Sequence, residues 1–504
     1  MPAPPVAYVS RNARGSPLWQ VVHEYLPKLV DYVGRRDQHV PAFVEAELEA
    51  FLACGQLENG FTHIRCKTCD ARELVPFTCK SRALCPTCCG RRMNQTAKHL
   101  VDEVFPHVPT RQWVLTFPAP LRYLLAYDTE LCTRALALFV EQIVAHYRFT
   151  LAREHDVDVR SLAGGSVTSI QRAGSALQAT LHFHTVALDG VYLVTNDEPP
   201  RFLAAPRVSA VEVQAVAWNT CQAVTKMLQR RGVELTGEDD DLDKLHNEHP
   251  LLARSLAASQ MGVVALGDDA GRRLARTGWA VQQHADVEAK GSQQTPGHGF
   301  NLHAGLRVPA CDRKRLERLC RYILSPPVSA NRISTTADGR IAYRLKRPWS
   351  DGTQVVYFSG LDFMSKLMAL IPRPRVHLIR YHGCLAPRSK LRRQVVPGRT
   401  KRRASAAAPA GGQMQLLDQA DGSSRWIPRR ELLAHVFGDD AARCRRCGSS
   451  RLEVVAVVKR WEAIRSVLTS LGLDPDGGVL SRNRGPPGQL ELGFGETARE
   501  RAAA

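Results

Sequence analysis

The sequence predicts an α+β protein. A cysteine-rich, zinc-binding N-terminal domain comes first, followed by a larger domain on a central antiparallel sheet with a helical insertion and a basic C-terminal region. Three observations carry this. Seven of the 14 cysteines fall between Cys54 and Cys89. The stretch Ala179–Leu188 (ATLHFHTVAL) alternates as a strand does, so His182 and His184 share one face with Phe183 behind them. A mostly helical stretch, about 205–290, then separates that strand from a return to strand pattern at Phe300–Val308.

The 504 residues suffice for several domains and a sizeable core. Lys and Arg number 68 against 49 Asp and Glu, a net charge of +19 that favours a polyanionic partner such as nucleic acid over a merely soluble basic protein. The start lacks an apolar secretory core, and no run approaches the ~20 apolar residues of a membrane helix. The expectation is a soluble, cytoplasmic protein whose cysteines are metal ligands or buried thiols.

In order, Leu18 to Leu52 reads as a helical lead-in (1–52), with Pro27 predicting a kink or break. In 53–105, Cys66-x-x-Cys69 and Cys85-x-x-Cys88 stand fifteen residues apart, a spacing that predicts one tetrahedral Zn²⁺ site of four thiolates. Cys54, Cys79 and Cys89 are left over, for a second site or as buried thiols. Lys67, Lys80, Arg82, Arg91 and Arg92 make the unit basic, as a nucleic-acid-binding knuckle would be; a purely structural staple is the other reading.

The sheet-bearing domain spans 106–395. Gln112–Phe117 is a strand, Leu131–Glu154 an amphipathic helix, and Val167–Ile170 and Leu177–Leu188 are strands. Asp189-Gly190 is a hairpin signal with Val191–Val194 as return strand. Two imidazoles on a rigid strand make half a metal site, or else line a wet sheet face. The insertion, about 205–290, is mostly helical; its acidic run Glu238–Asp241 reads as a solvated loop, and His246 and His249 as surface residues. Phe300–Val308 returns to strand. Asp312 then N-caps a helix with Leu316, Leu319, Cys320 and Ile323 buried, ending before Pro326-Pro327. Tyr322 falls off that face, in line with Arg318 and Arg315. It is a candidate nucleophile or phosphate contact, or a half-exposed side chain covering a groove.

Residues 363–403 hold no acidic residue and many basic ones, Arg392 and Arg393 among them, as suits a phosphate backbone. Residues 396–425 read as a linker and 426–504 as a tail with an isolated Cys444-x-x-Cys447, looking disordered from Asp474.

Four stretches together resemble the IS91-like rolling-circle insertion-sequence transposases, of the class named HUH for His-hydrophobic-His. They are Phe77–Cys88 (FTCKSRALCPTC), Leu181–Gly190 (LHFHTVALDG), Leu319–Pro327 (LCRYILSPP) and Arg380–Pro387 (RYHGCLAP). The resemblance covers roughly 50 to 395 and implies an N-terminal transposase zinc-binding domain before an HUH nuclease domain. It implies a metal-dependent nuclease and strand transferase that cleaves single-stranded DNA at element ends and joins it to target DNA. His182 and His184 would be metal ligands, and Tyr322 the nucleophile that forms a 5′-phosphotyrosine. Two-tyrosine members carry another tyrosine four residues earlier; here that residue is Arg318, as in the single-tyrosine, common-region-element-like branch. A third metal ligand is expected, with His303 first and His377 and His382 next, on Mg²⁺ or Mn²⁺. Arg315, Arg318 and Arg321 could hold phosphates near Tyr322. Three other readings stay open: a replication initiator or relaxase, a zinc-knuckle regulator that binds DNA without cutting, and a metal-dependent hydrolase that forms no tyrosine adduct.

Overall fold

The computed structural model describes residues 14–233, 245–278, 299–397, 443–444 and 446–470, with the backbone of 292–294. The acidic run Glu238–Asp241 and the chain beyond 470 lie outside the described residues. No described helix is long and apolar enough to cross a membrane.

The chain opens with helices α1 (Pro17–Gly34) and α2 (Ala42–Leu52). Pro27 does not break α1. It is exposed, and so is His23, so the carbonyl that loses its donor faces water and not the core. Strands β1 (Phe61–Cys66) and β2 (Arg72–Pro76) form a small hairpin, and α3 (Pro86–His99) runs on into a π-helical turn at Leu100–Val104. Next come β3 (Thr110–Thr116), α4 (Ala119–Tyr127) and α5 (Thr129–His155), the last N-capped by Asp128.

Strands β4 (Leu162–Ala163), β5 (Gly165–Ala173), β6 (Ala179–Leu188), β7 (Gly190–Leu193) and β8 (Arg201–Ala204) precede helices α6 (Ala210–Arg230) and α7 (Pro250–Met261). Short strands β9 (Ala275–Gly278), β10 (Ser292–Gln294), β11 (Asn301–His303) and β12 (Arg307–Val308) lead to α8 (Arg313–Ile323). Then come β13 (Ile333–Thr335), β14 (Ile341–Arg344), β15 (Thr353–Phe358), α9 (Gly360–Leu370) and β16 (Ile379–Gly383). The C-terminal segment supplies β17 (Leu452–Val458) and α10 (Trp461–Ser470).

The central sheet runs β10-β11-β3-β6-β5-β16, all pairs antiparallel, with β12 also on β3. Its back face carries the main core. Phe183 meets Phe117 at a ring distance of 5.0 Å and Phe139 of α5 at 6.4 Å. The same core takes in α1 and α9, so the lead-in helices pack as part of the larger domain.

Two expected pairings differ. The strand after Asp189-Gly190 does not return along β6; β7 pairs with β4 and β8 in a separate sheet. Asp189 is fully buried and accepts from Arg111, Arg307 and Tyr147, so it cannot head an exposed two-residue turn. Gly190 continues at φ +151, where an added Cβ would lie 2.1 Å from the Leu203 carbonyl oxygen. Likewise the C-terminal segment is not a free tail: β17 pairs with β1 to complete a three-stranded sheet, β17-β1-β2.

Candidate active site

Register places the histidines. His182 and His184 of β6 stand opposite Thr116 and Val114 of β3, and opposite Gln171 and Ser169 of β5. Directly opposed residues share a face, so all six point to the front of the sheet. On that face the apolar side of α8, Leu316, Leu319, Cys320 and Ile323, packs on Val167, Val186 and Leu188. Asp312 caps the helix start through the Arg315 amide at 2.8 Å, and Gln171 Nε2 donates to the Ile323 carbonyl at its end at 2.8 Å. The helix is thus pinned beside His182, and Tyr322 projects toward the histidines.

The two imidazole centroids are 4.9 Å apart, and the Tyr322 ring stands edge-on to His184 at 5.7 Å. His182 Nδ1 lies 2.8 Å from the Thr180 carbonyl oxygen, which only accepts. The proton therefore sits on Nδ1, and Nε2 presents a lone pair. The Gln112 amide nitrogen lies 2.8 Å from His184 Nδ1; a half-turn of that amide would bring its oxygen to the ring instead, place the proton on Nδ1 and free Nε2 of His184 in the same way. Burial lowers the pKa of both imidazoles, His184 to about 3 with His182 adding to the shift, so both are neutral at physiological pH. A divalent metal requires neutral imidazoles, and a hydrogen bond on Nδ1 orients the ring for binding through Nε2.

A cavity of about 700 Å³ opens over this group. Helix α3 forms one wall, the Pro326-Pro327 turn and Lys346 another, and 376–381 a third. Tyr343 and Tyr381 also line it, but Tyr322 is the half-exposed one, at 47%. The charged lining is Arg82, Arg92, Arg172, Arg332 and Lys346, with no Asp or Glu among the described lining residues. Lys346 Nζ stands 5.8 Å from the Tyr322 ring centroid. Some of these cations also build the wall: Arg82 donates to the carbonyls of Val376 and Arg373, and Arg172 to that of Ala126.

Other expected site residues lie elsewhere. His303 stands opposite Val114, which stands opposite His184. That puts it two strands, about 10 Å, from His184. Among the described residues, the groups of three or more His, Cys, Asp or Glu close enough to share one metal ion are all cysteine. His377 lines the cavity; His382 lies on the other face of β16, where burial and then Arg380 lower it to about 4. Arg315 and Arg318 are exposed on α8 outside the cavity lining, and Arg321 pairs with Glu317 at 2.6 Å. Arg392 donates to the Leu385 carbonyl and stacks over Tyr381, while Arg393 is exposed.

A transposase family, Y2_Tnp, matches residues 165–393, the stretch that carries β5, β6 and α8. The transposase zinc-binding domain of the IS91 type matches residues 21–117. The chain is an IS91-like transposase with an N-terminal zinc-binding domain. No curated protein and no solved structure matches it.

The zinc-binding domain of the transposase corrects the expected cysteine pairing. Cys66, Cys69, Cys85 and Cys88 do not form one site. Cys85 and Cys88 join Cys54 and Cys79, while Cys66 and Cys69 meet Cys444 and Cys447. Spacing identified the turns but not which turns meet. In the first cluster the Sγ–Sγ distances are 3.8 Å (Cys54–Cys88), 3.7 Å (Cys54–Cys85) and 3.5 Å (Cys79–Cys88). These match the ~3.8 Å edge of a Zn–thiolate tetrahedron with bonds of ~2.3 Å. Hydrogen bonds from Cys54, Cys79 and Cys85 hold Cys88 far below the usual thiol range. Cys89 is no ligand: burial pushes its thiol up to about 12, and it donates to the Ser81 carbonyl. This cluster anchors the N-terminus of α3, so the zinc centre supports a wall of the transposase cavity.

Proposed function

We propose that the transposase nicks and joins single-stranded DNA at insertion-sequence ends by tyrosine attack, in rolling-circle transposition within the cytoplasm. The observation that carries this reading is the meeting of Tyr322 with two neutral, Nδ1-bonded histidines in a cavity whose charged lining is all cationic. Tyr322 Oη attacks the scissile phosphorus. The bond from phosphorus to the 3′ oxygen breaks, and that oxygen takes up a proton as it leaves. The product is a 5′-phosphotyrosine and a free 3′-OH, and the reverse attack by a 3′-OH joins strands without an external energy source. Arg332 and Lys346 bind the phosphates, replacing the Arg315, Arg318 and Arg321 row in that role. His182 and His184 would hold the divalent ion through Nε2, which supplies Lewis-acid polarisation of the scissile phosphate. This donor set has two imidazoles and no carboxylate, so it suits Mn²⁺ better than Mg²⁺.

The test is cleavage of labelled single-stranded DNA from the element's own ends. Wild type with Mn²⁺ is expected to give a labelled band at protein size, weaker with Mg²⁺. Tyr322→Phe should give none, and His182→Ala should abolish the metal dependence together with the product. Lys346→Ala should cut more slowly than Arg318→Ala. DNA binding without an adduct in any metal would overturn the reading and leave a non-cleaving DNA-binding protein.

A further inference from the structure

The second cysteine cluster is not contained in either matched segment. Cys66 and Cys69 lie in the zinc-binding domain, but Cys444 and Cys447 lie beyond 393. We infer that Cys66, Cys69, Cys444 and Cys447 bind a second zinc ion, and that this ion fastens the C-terminal segment, 443–470, to the zinc-binding domain.

Cys66 and Cys447 Sγ are 3.6 Å apart, and so are Cys69 and Cys444. These are tetrahedral edges, far from the ~2.05 Å of a disulfide. The two Cys-x-x-Cys turns also share one backbone design. The Asp70 amide donates to the Cys66 carbonyl at 2.9 Å, and the Gly448 amide to that of Cys444 at 2.8 Å. The amides of Cys66 and Cys444 donate forward, to Ala71 and Ser449, both at 2.8 Å. Asp70 and Gly448 hold the same left-handed conformation, φ 58 and φ 70. Two equivalent knuckles, remote in sequence, therefore face each other with four thiols at bonding separations. A merely incidental cysteine contact would not reproduce the turn on both sides.

The segment needs such a fastening. It contributes three buried residues, Val458, Ile464 and Leu468, to a five-residue core completed by Leu57 and Phe61 of the zinc-binding domain. Val454, Val455 and Val457 of β17 are about half exposed, and Trp461 as well. A core this small is marginal without a metal or disulfide staple. Around the cluster, the Lys67 amide donates to the Arg451 carbonyl, Thr68 Oγ1 meets Ser449 Oγ at 2.8 Å, and Lys67 pairs with Glu453 at 2.9 Å. These contacts set the register in which β17 extends β1.

The experiment counts zinc in the full chain, purified under reducing conditions in a His182→Ala/His184→Ala background, so that the histidine pair adds no ion. The expected content is two zinc per chain, falling to one in C444S/C447S. Hydrogen exchange gives a second readout that needs no variant. As a chelator removes the first equivalent of zinc, the amides of β17 should lose protection while those of α3 keep theirs. One zinc per chain with or without C444S/C447S, or β17 protection unchanged after all zinc is gone, would overturn the inference. So would a Cys66–Cys447 or Cys69–Cys444 disulfide found by mass spectrometry in the reduced preparation.

Discussion

At the scale of single residues, the proposed cleavage depends on what holds the two imidazoles. Gln112 is not among the cavity-lining residues; it acts by orienting His184 through a 2.8 Å contact to Nδ1. Removing a group that holds a metal-binding histidine through its other ring nitrogen changes metal affinity or activity by about 10–100-fold. Gln112→Ala is therefore expected to raise the Mn²⁺ concentration needed for half-maximal cleavage within that range and to leave the unfolding midpoint nearly unchanged. An unaltered metal requirement would show that His184 is oriented by packing alone. Asp189 is the opposite case. Its carboxylate has no exposed surface and serves Arg111 (2.7 and 3.2 Å), Tyr147 (2.8 Å) and Arg307 (2.6 Å). Asp189→Ala strands the buried guanidinium of Arg111, a class of change that costs about 3–5 kcal/mol. Urea unfolding should register a loss of that order, and a loss below about 1 kcal/mol would mean that the network is not a structural keystone.

At the scale of elements, Tyr322, the proposed nucleophile, is only as well placed as α8. That helix is tied to the end of α3 by Arg313, which donates to the carbonyls of Val101, Phe105 (2.9 Å) and Pro106 (3.1 Å). The Val101 carbonyl lies within the π-helical turn at Leu100–Val104 and the other two just beyond it, where the widened backbone leaves acceptors for a side chain from outside. Arg313→Ala removes the donor from all three. At about 1 kcal/mol per lost hydrogen bond, the expected cost is about 2–3 kcal/mol, with slower adduct formation at unchanged DNA binding. Equal loss of binding and cleavage would instead make Arg313 a DNA contact. Much of this element was legible in the sequence: the Asp312 cap, the buried face of α8, the off-face Tyr322, and the paired histidines on β6 all follow from local periodicity. Whatever depended on which strands meet was not. His303 looked eligible because it precedes the tyrosine helix, but register sets it beyond β3. Cys66 and Cys69 looked like partners of Cys85 and Cys88 because they are near in sequence, yet their neighbours arrive from 444 and 447. Lys346 and Arg332 gave no signal, since a lone cation in a loop or a single short turn carries no period.

At the scale of the whole molecule, several histidines are buried as neutral rings, and this couples stability to pH. Burial is the leading cause in each case: it lowers His184 to about 3 and His382 to about 4, and it lowers His182 and His146 as well. Their folded pKa values lie below the ordinary value near 6.5, so the unfolded chain binds more protons than the folded one once the pH drops under that point. Above pH 6.5 these groups contribute no pH dependence. Below it stability must fall, with a slope that approaches about 1.4 kcal/mol per pH unit for each ring that stays neutral. The window from pH 6.5 to 5 reports chiefly on histidine, because ordinary carboxylates titrate near 4. Urea midpoints should thus be level from pH 8 to 7 and decline steadily from 6.5 to 5. His382→Asn should flatten part of that decline, because His382 lies on the far face of its strand from the cavity and its Nε2 has no hydrogen-bond partner. A flat midpoint across this window would mean that the imidazoles take up protons without penalty, and the cavity would then be wetter than its lining implies. The pH profile of cleavage is tied to the same groups: burial lowers both His182 and His184, the latter to about 3, so acid should unfold the transposase before it protonates His184.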